Sequence, residues 1–156
     1  MIILGVRCSP KDFSFCVIEG AKAAPAIIHT QEIVFPSAYA KPLLLKWLMA
    51  EVDDLIKKYS INSIAIKSSE MMASRDKSFV ERLEYETIFI LAGALQGLKP
   101  IVKKVKATIA KDLGLKGKAS YLSILDTSSI PNYSKYSDKM KEAVLVGWSE
   151  LKNNGG

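Results

Sequence analysis

Two basic side chains end apolar segments that have the composition of buried strands. Arg7 closes the run "IILGVR", and Lys67 closes "INSIAIK". In α/β proteins, functional side chains favour the carboxyl ends of such strands. A cation at this place suits either an ion pair with an acid or contact with a phosphate, because arginine and lysine only donate hydrogen bonds. The sequence leaves both roles open.

Most of the remaining positive charge is concentrated in one segment, residues 99–118. It contains seven lysines and a single acid, Asp112, an excess of +6 that equals the formal net charge of the whole chain. Such a concentration is typical of a phosphate-binding surface, although lysines also protect sheet edges from aggregation. The residues expected to contact nucleic acid are Lys103, Lys104, Lys106, Lys111, Lys116 and Lys118, with Arg75 and Lys77 from a preceding polar loop.

Other chemistries have weaker support. His29 is the only histidine and lies inside a predicted strand, where a packed or surface role is the usual one. Cys8 and Cys16 do not form a spaced zinc-ligand set with it, and we expect both to be free, core-filling thiols. Two serines follow Lys67, so a Ser–Lys pair is conceivable. No phosphate-loop or dinucleotide fingerprint occurs.

The elements that must position these residues alternate between strands and helices. The predicted order is strands at 1–8, 13–19 and 26–35, a helix at 39–59, a strand at 61–69, a helix at 79–96, a strand at 100–107, a short helix at 119–125 and a final helix at 138–151. Ser78, with Glu81, is expected to cap the second helix, and Ser137 the last. The predicted buried stripes are Val80, Leu83, Ile88, Leu91 and Leu95 in the second helix, and Met140, Val144, Trp148 and Leu151 in the last.

The length of 156 residues suits one α/β domain. We place it at 1–152, with a flexible tail at 153–156. No apolar run reaches the roughly 18 to 20 residues that span a bilayer. Met1 leads directly into a strand without the pattern of a signal peptide, so a cytoplasmic location is expected.

Several segments resemble the RuvC-type Holliday-junction resolvases of the ribonuclease-H-like superfamily. "ILGVRCSP" resembles the family's opening "ILGIDPGS", and "SDKMKEAVLVGWSEL" resembles its closing helix "ADAADALAIA". "VKATIAKDLGLKGKAS" is similar to its VK…G-x-G-x-A-S segment, and "IAIKSSEMMASRDKSFVERLEYETIFILAGAL" to its fourth strand, loop and long helix. This resemblance covers nearly the whole chain. It implies a mixed five-stranded sheet, with three antiparallel strands followed by two parallel ones, flanked by helices.

The resemblance also implies a metal-dependent nuclease, in which four carboxylates hold two divalent ions. At the matching positions this chain has Arg7, Lys67, Lys139 and a single acid, Glu142. A cation about 4 Å from a divalent ion adds about 8 kcal/mol of repulsion at an effective dielectric constant of about 20. We therefore expect a degenerate site with no metal or other cofactor, in which Glu142 pairs with Arg7 or Lys67.

The sequence thus favours a pseudo-nuclease that binds nucleic acid, DNA in the first place, through its lysines. One alternative is a protein-interaction or scaffold domain, including a homodimer formed through a helix or the former active-site face. The other is a magnesium-dependent nuclease with relocated ligands, drawn from Asp12, Glu70, Asp138 and Glu142.

Overall fold

Five strands and four α-helices make up the described part of the chain. The computed structural model describes residues 1–70, 76–116 and 119–153, with the backbone alone for 119–121. The strands are β1 (Ile3–Cys8), β2 (Asp12–Ala21), β3 (Ala24–Val34), β4 (Ser63–Lys67) and β5 (Ile101–Lys104). The helices are α1 (Lys41–Lys58), α2 (Lys77–Leu95), α3 (Lys106–Asp112) and α4 (Asp138–Glu150), with short 3-10 segments at Ala119–Ile124 and Tyr133–Lys135.

The five strands form one mixed sheet in the order β3-β2-β1-β4-β5. β1, β2 and β3 pair antiparallel, whereas β4 lies parallel to β1 and β5 parallel to β4. The predicted sheet is therefore confirmed. Because β1 lies at its centre, both faces of that strand are covered, which explains its nearly continuous apolar sequence.

Helices cover both faces of the sheet. The side chains of Leu4, Val6 and Cys8 contribute to the core under α1 and α2. Ile3 contributes to the second core, which α3 and α4 cover. This alternation follows from the two-residue period of a strand. It places Arg7, which is odd-numbered like Ile3 and Gly5, on the α4 face.

α4 packs closely against β1 because both elements have a glycine where they meet. A Cβ added at Gly5 would lie 2.2 Å from the Ala143 carbonyl oxygen, and one at Gly147 would lie 3.0 Å from the Ile18 side chain. The Ser137 hydroxyl accepts a hydrogen bond from the Met140 amide at 3.2 Å, so the predicted cap of this helix is confirmed. Its four predicted buried residues are buried as well.

The prediction for α2 was wrong in two respects. Its N-cap is Asp76, whose carboxylate accepts the Phe79 amide at 3.1 Å, so the helix begins before Ser78. The buried face consists of Tyr85, Glu86, Phe89, Ala92 and Gly93, whereas Val80, Leu91 and Leu95 of the predicted stripe are exposed. Glu86, which a hydrophobicity pattern assigns to the surface, is on the buried face. The helix is therefore rotated about its axis relative to the predicted orientation.

β5 is shorter than predicted because a helix replaces its second half. The strand ends at Lys104, and α3 begins at Lys106. Ile109 and Ala110, each about 1% exposed, anchor this seven-residue helix in the core under α4. No helix among the described residues is long and apolar enough to cross a membrane.

Candidate site at the carboxyl end of the sheet

Arg7 and Lys67 are neighbours at one end of the sheet. The parallel register pairs Val6 of β1 with Ile66 of β4, so the next residue on each strand is one of the two cations. The two strands therefore bring together side chains that are 60 positions apart in the sequence. The amino-terminal part of α4 lies across the same end, because its contact at Gly5 places Glu142 beside the last residues of β1.

Arg7 pairs with Glu142. Its Nε lies 3.1 Å from Glu142 Oε2, and the two side chains are 18% and 29% exposed. The same guanidinium donates to the Ser9 hydroxyl and, at 3.3 Å, to the Cys8 carbonyl oxygen. Of the two partners expected for Glu142, the structure selects Arg7.

Lys67 has a different partner, Glu70. The lysine is 3% exposed, and its Nζ lies 2.9 Å from Glu70 Oε1 and 2.6 Å from the Ser68 carbonyl oxygen. Glu70 also accepts the backbone N–H of Lys106 at 3.0 Å. Burial raises the pKa of Glu70, but these two hydrogen bonds outweigh it, so the pKa lies below its usual value. The lysine bonds a carboxylate rather than either serine hydroxyl, which is not the arrangement of a Ser–Lys pair.

The third basic residue, Lys139, is also paired. Its Nζ lies 2.8 and 3.1 Å from the two carboxylate oxygens of Asp12, which begins β2. Each acid in these three ion pairs comes from a different element or loop. Two of the pairs therefore tie α4 to β1 and β2, whereas Lys67–Glu70 links the end of β4 to the segment that follows it.

Two further charged residues, both on α2, were missed by the sequence analysis. Glu86 is 0% exposed, and its Oε2 lies 2.6 Å from Lys103 Nζ of β5. Arg82, one turn earlier, has Nε and Nη2 buried without a hydrogen-bond partner among the described residues. Burial and then the charge of Arg7 lower the pKa of Arg82, while Glu86 and Glu142 act in the opposite direction. An acid and a base four residues apart in an apolar helix were the available signal.

The two cysteines are free and buried, as predicted. Burial, followed by the charge of Glu86, raises the pKa of the Cys8 thiol strongly. Burial raises the pKa of Cys16 to about 12. Because the thiolate is the nucleophilic form, neither cysteine is suited to catalysis. His29 stacks on Tyr59 at 5.5 Å and contacts the Gln31 side chain at 3.2 Å, with no nucleophile beside it in the described contacts.

Solved structures with the same arrangement of elements are Holliday-junction resolvases. RuvC of Thermus thermophilus in complex with a Holliday junction substrate superposes with a TM-score of 0.71 at 11% identity, covering 96% of this chain and 91% of that one. The yeast mitochondrial resolvase Ydc2 gives 0.62 at 12% identity, covering 94% and 76%. Fowlpox virus resolvase in complex with Holliday junction DNA gives 0.52 at 12%, covering 96% and 95%.

This chain has a RuvC-like ribonuclease H fold. No protein-family model and no curated protein matches its sequence. At 11 to 12% identity these structures establish the fold, and the chemistry of the site has to be argued from this chain's own residues.

The described residues at this end of the RuvC-like fold do not fit a two-metal site. Magnesium requires anionic oxygen ligands that are free to coordinate. Here Glu142, Glu70, Asp12 and Glu86 each contact a lysine or arginine. In the ranges 1–70, 76–116 and 119–153, no group of three or more His, Cys, Asp or Glu side chains is arranged to hold a metal ion.

The structure divides the predicted lysine-rich surface. Lys104 is 7% exposed, and its Nζ lies 2.8 Å from Asp112 and 2.6 Å from Glu150, so its expected place on the surface was wrong. β5 points this side chain towards α4 rather than towards solvent. Lys103 is one-third exposed and paired with Glu86.

The remaining predicted lysines lie along α3 and the loop after it. Lys111 and Lys116 are exposed, and Lys106 is half-buried at the first turn of α3. No ion pair involves these three among the residues that the structure covers. Lys118 and Arg75 lie outside the described residues.

Lys77 belongs to a separate cationic region at the start of α2. Its side chain is 90% exposed, with Glu81 at 3.7 Å. It borders a cleft of about 590 Å³ that Lys11 and Lys41 also line. Lys41 bonds the Tyr85 hydroxyl at 3.0 Å, so the cleft combines positive charge with an aromatic wall.

Proposed function

We propose that this RuvC-like domain binds nucleic acid, with DNA as the favoured ligand, and does not cleave it by a two-metal mechanism. The observation that carries the proposal is the set of ion pairs at the carboxyl end of the sheet. Arg7, Lys67 and Lys139 each engage an acid, so the three pairs carry no net charge and leave these carboxylates unable to hold metal ions. Two-metal hydrolysis needs free carboxylates, whereas binding needs unpaired cations, which this chain carries on and after α3.

The contact surface in this proposal consists of cations that internal ion pairs leave available. Lys106, Lys111 and Lys116 lie on α3 and in the loop after it, and Lys103 contributes the part of its side chain that is exposed. Lys118, Arg75 and Lys77 complete the predicted set. Two of the structural neighbours were solved with Holliday junctions, which supports a nucleic-acid ligand for this fold.

A binding titration at two salt concentrations tests the proposal. We expect a labelled four-way junction and a linear duplex to bind at about 50 mM salt, and the affinity to fall steeply towards about 200 mM because phosphate contacts release counterions. Each lysine lost from the surface lowers the slope of log K against log salt by about 0.9. Fluorescence anisotropy measures both quantities.

The matched variants are a Lys111→Ala/Lys116→Ala double substitution and a Lys46→Ala/Lys58→Ala control on α1, which removes the same charge from another surface. We expect the slope of log K against log salt to be lower for the first variant and to change little for the second. Absence of binding to either probe at low salt would refute it, and equal effects of both variants would show that only net charge matters.

A protein-interaction role is a second candidate, because α2 exposes apolar side chains. Leu91 is 47% exposed and Leu95 is 73% exposed, one turn apart on the same helix face. Size-exclusion chromatography with light scattering tests the homodimer form of this role. A concentration-dependent dimer that Leu95→Lys dissociates would support it, and a monomer at all concentrations would exclude it.

A further inference from the structure

One edge of the Arg82 guanidinium makes no hydrogen bond to the described residues. Nε and Nη2 share one edge of a guanidinium, and their N–H groups point in parallel, which is the geometry that grips two oxygens of one anion. Both atoms are buried, and neither has a hydrogen-bond partner among the described residues. A buried donor pair without a partner is uncommon in a folded protein and calls for an explanation.

The two acids near Arg82 form ion pairs with other cations, although neither Glu86 oxygen has a hydrogen-bond partner among the described residues. Glu86 contacts Lys103 at 2.6 Å, and Glu142 contacts Arg7 at 3.1 Å. The positive charge of Arg7 lowers the pKa of Arg82, because it disfavours a second charged guanidinium nearby. The five side chains of Arg7, Arg82, Lys103, Glu86 and Glu142 comprise three cations and two acids, so their net charge is +1. Among the described residues, Arg82 is the cation of this group that has no ion-pair partner.

The missing partner can be specified by its chemistry. It must bring two oxygens in one plane to the guanidinium edge and a single negative charge to balance the group. A phosphodiester meets both requirements, because it has one charge shared by two non-bridging oxygens. Arg82 is half-buried rather than fully enclosed, so rotation of its long side chain would present the edge to a strand at the surface.

We propose that Arg82, supported by Arg7, binds one backbone phosphate of the nucleic acid at the carboxyl end of the sheet. This inference rests on the proposed function, because it names the point at which the bound strand crosses the site. Arg7 is a positioning residue here, held by Glu142 and Ser9. It raises the local positive potential, and Arg82 supplies the paired donors.

The test compares Arg82→Lys with the native chain on junctions in which single phosphates are replaced by neutral methylphosphonates. Arg82→Lys keeps the charge and loses the paired donors. We expect this variant to bind the unmodified junction about tenfold more weakly, the effect of one charge-assisted contact. One methylphosphonate position should weaken the native chain and leave Arg82→Lys unaffected, because the contact there is already lost.

A second variant separates binding from folding. Arg82→Met removes the unpartnered charge, so the variant should unfold at the same denaturant concentration as the native chain or a higher one, and should lose affinity. A large loss of stability with unchanged affinity of the folded fraction would overturn the inference and assign Arg82 a structural role. The inference would also be overturned if Arg82→Lys bound every methylphosphonate-substituted junction with the same affinity as the native chain. If the native chain binds no junction at low salt, the proposed function itself fails, which is a different outcome.

Discussion

Arg7, Lys67 and Lys139, at the carboxyl end of the sheet, each pair with a specific acid. Lys67 is almost fully buried, and an isolated ammonium there would be strongly disfavoured. Glu70 compensates it and also accepts the amide that begins α3. The same residue therefore satisfies a buried charge and holds β4 against the turn into α3. Removing one member of such a group leaves the other uncompensated.

The lowered pKa of Glu70 predicts an acid-sensitive stability. The folded state binds this proton less readily than the unfolded state, whose pKa is near 4.5. The carboxylate thus contributes stability above that pH, and the contribution is lost as the pH falls through the lower, folded value. We expect Glu70→Gln to be less stable at pH 7 and to lose less stability between about pH 5 and about pH 3. Urea unfolding across this range measures both effects, and parallel curves for the two proteins would contradict the assignment.

At the scale of elements, the helix ends and the glycine contacts determine where the charged residues lie. Asp76 fixes the start of α2, and packing against the sheet turns Glu86 to the buried face of this helix. Gly5 and Gly147 allow α4 to approach β1 closely enough for Glu142 to contact Arg7. The packing of the helices on the sheet therefore determines which charged side chains meet at the site.

The cap of α2 gives a direct comparison between two neighbouring substitutions. Asp76→Ala removes the side-chain acceptor of the Phe79 amide and should cost about 1 kcal/mol of unfolding free energy. Ser78→Ala removes the cap that the sequence suggested and should change stability by less than about 0.5 kcal/mol, because Ser78 lies inside the helix. Chemical denaturation of both variants distinguishes the positions, and the reverse ranking would show that the helix begins later.

The contact between α4 and β1 predicts unequal effects of two alanine substitutions. Gly5→Ala would place a methyl group 2.2 Å from a backbone oxygen of α4, and we expect a loss of about 3 kcal/mol or more. Gly147→Ala meets the Ile18 side chain at 3.0 Å and gains helix propensity, so its net change should stay within about 1 kcal/mol. Thermal unfolding tests the ranking. Equal, small effects would mean that the helix is free to move away from the strand.

Long periodic elements could be predicted from the sequence, and short or charged ones could not. The mixed sheet with three antiparallel and two parallel strands was implied by the resemblance, and α4, with its cap and buried stripe, followed from an extended apolar pattern. α3 has only seven residues, too few for a helical period to be distinguished from a strand. The buried face of α2 was misassigned because Glu86 is neutralised by Lys103, a partner on another element that no local pattern reveals.

The candidate site shows the same limit. The three basic positions and Glu142 could be selected from the resemblance, and Arg7 was expected as one of two partners for Glu142. Lys67 instead uses the nearby Glu70, and Lys104 turns inward to Asp112 and Glu150. A sequence gives the number of charges in a segment, but not which of them are cancelled within the fold.

In the described part of the molecule, Lys106, Lys111 and Lys116 are cations without an ion pair on α3 and in the loop after it. Lys106 lies where α3 meets Glu70 at the carboxyl end, and α3 extends from there for about 10 Å at 1.5 Å per residue. Beyond it, Lys22 of the β2–β3 turn donates to the Asp112 carbonyl oxygen at 2.7 Å, beside the exposed Lys111. In the proposed function, a strand that follows these cations would run along α3 from the carboxyl end of the sheet towards the β2–β3 turn.

Junction binding and strand integrity, measured in parallel with magnesium and with a chelator at equal ionic strength, test the central claim most directly. The proposed function requires no metal ion at the carboxyl end, so we expect the junction affinity to agree within about twofold in the two conditions, and denaturing gels to show intact strands in both. Magnesium-dependent cleavage that disappears in Glu142→Ala would contradict the account, because it would show that Glu142 ligates a metal rather than pairing with Arg7.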